Sequence, residues 1–257
     1  GCSSLTTVDA SNASFASIEQ GAFNNTPLTQ ISFPDTLTTI GVNAFLNCSE
    51  LTALDLSGTK LSSVGNGAFT GCTSLVSVSM PSTLETWPGF GDSGKLSKVT
   101  IASDNQNLES VDEVMVIKKG TDGTKTLTYV VPNVSRDDDG LRSVTIPKDV
   151  TSIDISAFRN ATLDAVYVEE GNTAMSSMGN GAAVIGSNGA VLYIAGAVES
   201  IELPDTVSSL SSNVLEYATA LKRLAWGGSG TTGNLSIPSA SSGLDELVLT
   251  TTGSVTM

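Results

Sequence analysis

The chain repeats a phrase: AFNNTPLTQISFPDTLTTI begins at Ala22, AFLNCSELTALDLSGTKLSSV at Ala44 and AFTGCTSLVSVSMPSTL at Ala68. A unit recurring about every 20 to 30 residues is one supersecondary element whose apolar face is too small to bury alone. Such units stack, so the phrase predicts a solenoid rather than a globule. Aromatic residues make up only 5% of the chain against 40% hydrophobic residues overall. The core must therefore be built from thin layers of Leu, Val, Ile and Ala.

Ten segments share the form L-x-x-L-x-L, starting at Leu5, Leu28, Leu51, Leu75, Leu96, Leu141, Leu163, Val198, Leu221 and Leu244. Their last four positions alternate apolar and polar, which predicts a short strand with one side buried. Strands that recur in one direction pair as a parallel ladder. Proline often follows, at Pro34, Pro81, Pro147 and Pro204, and ends the strand because it cannot donate to the ladder. A second apolar pair comes next, as in Leu37 with Ile40, Leu61 with Val64, Val150 with Ile153 and Val207 with Leu210. An Ala-Phe step then returns the chain toward the next strand. Phe23, Phe45, Phe69 and Phe158 are thus expected to stack as a core spine. The expected fold is a mostly β repeat solenoid, one body over residues 1–257 with about ten repeats.

Two stretches break the period. Around VDEVMVIKKGTDGTKTLTYVV and AAVIGSNGAVLYIAG, β-rich runs flank turn residues, predicting inserted hairpins near 108–133 and 178–196. The phrase also decays from Trp87 to Asp92 and from Gly227 to Ser242, and Thr250–Ser254 offers no obvious polar cap. Cys48 and Cys72 occupy one repeat position, and Cys2 aligns with them. The three are expected as small buried apolar residues of a ladder. A rival reading makes Cys2 the lipid-bearing first residue of a bacterial lipoprotein. Because GCSSL enters the repeat in mid-unit, the chain is expected to be part of a longer protein.

The combined pattern A-F-x-x-C-x-x-L-x-x-[VI]-x-[ILF]-P-x-x-[LV]-x-x-I resembles the BspA-type leucine-rich repeats of bacterial surface proteins, and the VDEVMV…LTYVVPN hairpin resembles the module that family inserts between repeats. The resemblance implies a secreted or cell-surface protein that adheres to host proteins or cells. The asparagine that general leucine-rich repeats place at the bend after the strand is replaced here by Ala13 and Thr59, so no asparagine ladder is expected at that bend.

Chemistry is sparse. The chain has no histidine, which removes the commonest general base, metal ligand and triad member. No phosphate-cradling glycine loop or nucleophile elbow occurs. No catalytic residue, metal ligand or cofactor is expected, and the chain is read as non-enzymatic. With 26 acidic against 12 basic residues and a net charge of −14, nucleic acid is disfavoured as a partner. No apolar run is long enough to span a bilayer. Asp137, Asp138 and Asp139 lack calcium-loop spacing and read as a solvated loop. The outward positions of the strands remain, among them Asp55, Lys98, Tyr167, Glu202 and Arg223. These are the candidate contacts to a host extracellular protein or glycan; the alternative function is a spacer that projects another domain. The oligomeric state is left open.

Overall fold

A computed structural model of the protein describes residues 2–91, 93–154, 156–204, 206–211, 214–226, 235–236, 244–249 and 255–256. The chain is a mostly β, parallel-strand solenoid of about ten turns, divided into compact units of residues 1–133 and 134–257. Among the described residues the one α-helix is Val214–Tyr217.

In the first unit the expected strands are Thr7–Asp9, Gln30–Ser32, Ala53–Asp55, Ser77–Met80 and Lys98–Ile101. Ile31, Leu54, Val78 and Val99 are buried at their centres, while the residues on either side face outward, as period-two alternation requires. A second wall is the parallel sheet of Ser17–Ile18, Thr39–Ile40 and Ser63–Val64. Gly41 and Gly65 end its last two strands because the turns approach too closely for a side chain: a Cβ on Gly65 would stand 2.4 Å from the Val42 nitrogen.

The Ala-Phe steps form the third side. Phe23, Phe45 and Phe69 stack with ring centroids 5.1 and 5.6 Å apart. Phe90 then continues the column 5.0 Å from Phe69. The repeat therefore keeps its phase through Trp87–Gly91, where its text had decayed: Gly89-Phe90 replaces Ala-Phe. Beside this column runs a buried file of Thr26, Cys48, Cys72 and Ser93. Cys48 Sγ donates to the Phe23 carbonyl at 3.1 Å and Cys72 Sγ to that of Phe45 at 3.3 Å. All three cysteines are free, and Cys2 is exposed, contrary to the ladder expectation. Cys48 and Cys72 are covered because each lies on the turn before it.

Each predicted hairpin is a three-stranded antiparallel meander. In the first, Met115–Lys119 pairs with both Leu108–Val111 and Lys125–Val130. In the second, Ala183–Gly186 pairs with Met175–Met178 and Ala190–Ile194, so the insertion starts earlier than position 178. The missed strand ends in a tight left-handed turn in both cases. Asp112 and Glu113 have φ of 51° and 58°, and Asn180 and Gly181 of 53° and 81°. These turns occupy the place of a next strand, since Val99 N–H donates to the Glu113 carbonyl and Val166 N–H to that of Gly181.

The second unit carries the strands Ser143–Ile146 with Ala165–Val168, and Ser200–Leu203, Arg223–Trp226 and Glu246–Leu249, each set parallel. Phe158 is buried as expected, but its stacking partner is Tyr193 of the meander, 4.1 Å away. Trp226 fills the layer beneath, its indole N–H donating to the Val207 carbonyl at 3.2 Å. The stretches 227–234, 237–243 and 250–254, in which the text decays and no cap was expected, lie outside the described residues.

Candidate functional site

The outward face of each strand ladder is the candidate site, and pairing fixes where each nominated residue stands on it. Asp55 is exposed and shares a rung with Ser79 and Thr100. Lys98 is exposed on the strand beyond, its Nζ 2.8 Å from Glu113 Oε1. The strand Ser77–Met80 separates the two. In the second unit Arg223 bonds Glu246 across neighbouring strands at 2.9 Å, and Glu202 lies opposite Ala225, two residues along. Tyr167 pairs with Thr145 and is half-buried, its ring against Gly181. Its ladder is separate from that of Glu202 and Arg223. The five residues therefore form no single cluster; they mark positions along three separate ladders.

The electrostatics of these faces are acidic with local neutralisation. Lys98 and Arg223 are held by Glu113 and Glu246, exposed pairs of the kind that contributes about 0 to 1 kcal/mol. Asp9 and Asp55 each accept the N–H and hydroxyl of the serine two residues on, Ser11 and Ser57. For Asp9 these bonds hold the carboxyl below its usual range. Asp137 is committed in the same way: it accepts the N–H groups of Asp139 and Leu141 and the Ser143 hydroxyl, which lowers its pKa and closes its own loop. No group of three His, Cys, Asp or Glu able to hold a metal occurs among the described residues.

Asn105 and Asn172 carry a structural role that reading the sequence missed. Each sits in the bend entering a meander, fully buried in the case of Asn105. Asn105 Nδ2 donates to the Pro81 and Leu84 carbonyls while its Oδ1 accepts the Asn107 and Leu108 N–H groups. Asn172 makes the same four bonds with Pro147, Val150, Ala174 and Met175. At the ordinary bend Thr59 substitutes, its hydroxyl donating to Leu56 and accepting from Leu61. The signal was an asparagine four residues past Ile101 and past Val168.

The first-unit ladder is also interrupted. Bridges join Thr7–Asp9 to Gln30–Ser32, and Ala53–Asp55 through Ser77–Met80 to Lys98–Ile101, but none joins Gln30–Ser32 to Ala53–Asp55. A cleft of about 560 Å³ opens there, lined by residues of both turns including Gln30, Phe33, Asp35 and Asp55.

Parallel ladders, a proline turn, a second short wall and a phenylalanine spine define a leucine-rich-repeat solenoid. The chain belongs to the BspA type Leucine rich repeat region family, whose pattern matches residues 1–111 and 124–181 in 6 copies. Three solved structures are similar. The pneumococcal vaccine antigen PcpA is 20% identical, with a TM-score of 0.44 over 95% of this chain and 50% of its own. A leucine-rich cell surface protein of Faecalibacterium prausnitzii A2-165 is 14% identical, with a TM-score of 0.40 over 96% and 88%. A leucine-rich repeat protein of Eubacterium ventriosum ATCC 27560 is 14% identical, with a TM-score of 0.39 over 88% and 61%. The chain thus spans half the length of the pneumococcal protein. No curated protein matches.

Proposed function

We propose that the chain is a non-catalytic binding module of a bacterial surface protein, which contacts a host extracellular protein, cell or glycan through its exposed strand faces. The observation that carries this reading is the ladder itself. Its outward positions, from Asp9, Asp55 and Lys98 to Thr145, Glu202 and Glu246, are exposed polar side chains on a regularly spaced backbone. An ordered polar surface of this kind suits contact with an extended partner better than enclosure of a substrate. The repeat family supports a surface location. No helix among the described residues is long and apolar enough to cross a membrane.

The test is saturable binding of the purified chain to immobilised host matrix proteins and glycans, repeated with Lys98→Ala, Arg223→Ala and Tyr167→Phe. Binding that weakens in these variants at unchanged melting temperature supports the proposal; no binding across the set rejects it. The pairing of Lys98 and Arg223 with neighbouring acids favours a second reading, a spacer projecting another domain. A spacer would tolerate all three changes yet fail with Phe69→Ala, which removes a fully stacked core ring at a cost of about 3–5 kcal/mol.

A further inference from the structure

The break between Gln30–Ser32 and Ala53–Asp55 is confined to one side of the solenoid. At the other junctions of the first unit, main-chain bonds flank the strands: Thr29 N–H to Thr6 and Ala10 N–H to Ser32, Val76 N–H to Thr52 and Leu56 N–H to Ser79, Ser97 N–H to Val76 and Ala102 N–H to Met80. The equivalents from Thr52 to Thr29 and from Phe33 to Asp55 are missing. Behind the break the same two turns stay joined, with Thr39–Ile40 paired to Ser63–Val64 and Phe45 N–H bonded to the Ala68 carbonyl at 2.8 Å. On the strand side alone, the two turns lack bridging main-chain bonds.

Phe33 accounts for this. It occupies the closing apolar position that Ala10, Leu56, Met80 and Ile101 fill in the other turns, and those four are buried whereas Phe33 is half-buried. Its ring meets Phe45 edge-on, 6.2 Å between centroids, and lines the opening. A ring of this size overfills a layer built for an aliphatic side chain.

We infer that this cleft is a binding site for a neutral saccharide; the inference rests on the binding-module reading and gives it a ligand class and a place. A volume of about 560 Å³ falls within the range of small-ligand sites, about 300–1,000 Å³. Phe33 supplies an apolar ring face for the C–H side of a sugar. Around it stand acceptors suited to sugar hydroxyls: the Gln30 amide and the exposed carboxylates of Asp35 and Asp55. Asp55 uses Oδ1 for Ser57, leaving Oδ2 for a ligand. The Phe33 N–H, which makes no main-chain bond, adds a donor. No lysine or arginine lines the cleft, so phosphates and acidic sugars meet carboxylates without a counter-charge.

The experiment is calorimetric titration of the whole chain with lactose, maltotriose, cellotriose and chitotriose, and with sialyllactose as an anionic comparison. The expected result is saturable binding of at least one neutral sugar. Asp35→Ala and Asp55→Ala should each weaken it about tenfold or more, the loss of a charge-assisted hydrogen bond, with no change in melting temperature. Amide exchange gives a second, ligand-free reading: the Thr52 and Phe33 N–H groups exchange fast in the native chain and become protected in Phe33→Leu, as the rung closes. No binding by any neutral sugar, binding untouched by both aspartate changes, or tighter binding of sialyllactose overturns the inference. Matrix-protein capture that depends on Lys98 and Arg223 without any sugar binding would leave the broader proposal standing and remove this one alone.

Discussion

Gly65 shows how tightly single positions are fixed by the spacing between turns. A Cβ there would lie 2.4 Å from the Val42 nitrogen and 2.6 Å from the Gly41 carbonyl carbon. These are backbone atoms of a paired strand end, so no rotamer change relieves the overlap. Gly65→Ala should cost about 1–3 kcal/mol, as overpacking does, and lower the melting temperature by several degrees. Gly94→Ala, where nothing lies within 4 Å, should be neutral or slightly stabilising. A second residue-scale prediction concerns the buried file beside the phenylalanines. Burial, reinforced by the neighbouring Cys48, pushes the Cys72 thiol up to about 12, and burial also raises Cys48, Tyr129 and Tyr193. The folded chain therefore keeps protons that the unfolded chain releases above pH of about 9, so this contribution is complete below that pH and is lost as pH rises toward about 12. Thermal melts between these limits should fall steadily, and Cys72→Ala should flatten the slope. A melt insensitive to alkali would contradict the burial of these groups. Legibility at this scale followed periodicity: Phe45 and Phe69 were plain because Ala-Phe repeats, whereas Phe90 was hidden because Gly89 stands where the alanine should.

At the scale of elements, the strands and second walls could be read because each obeys a period of two with a proline or glycine stop. The meanders could be read only in part. Their first strands end in turns whose left-handed backbone is carried by Asp112 and Glu113 in one case, residues that do not advertise such a turn, and Met175–Met178 exposes two consecutive serines, which breaks the period-two signal. What secures these insertions is the asparagine at their entrance. Asn105→Ala would orphan two carbonyls and two N–H groups in a fully buried bend. Each such group costs about 1–3 kcal/mol when left unmatched, so a net loss of about 4 kcal/mol or more is expected. Asn172→Ala should cost less, because Asn172 is half-buried. Chemical denaturation gives both values, and amide exchange in Leu108–Lys119 should rise with the first variant. Equal, small losses would show that the bends are held by packing instead.

Over the whole molecule, charge limits which partners can be held and how. The net charge is −14, and four of the basic side chains, Lys98, Lys148, Lys222 and Arg223, are engaged by Glu113, Glu169, Glu199 and Glu246. The long-range field is thus negative while the strand faces are locally balanced, so polyanions are repelled at a distance and find no free cationic patch among these four on approach. The chain should pass through immobilised heparin even at about 0.05 M salt, where screening is weak. A basic host protein would be drawn in by the same field, and its association rate should fall as salt is raised. A neutral saccharide in the Phe33 cleft brings no charge to screen, so its affinity should change by less than about twofold between about 0.05 and 0.5 M salt. The salt slope of whatever binds therefore separates two modes on one molecule. A steep slope, lost with the strand-face charges, assigns recognition to the extended face. A flat slope, lost with Asp35 and Asp55, assigns it to the opened rung, where one oversized side chain has turned a structural ladder into a pocket.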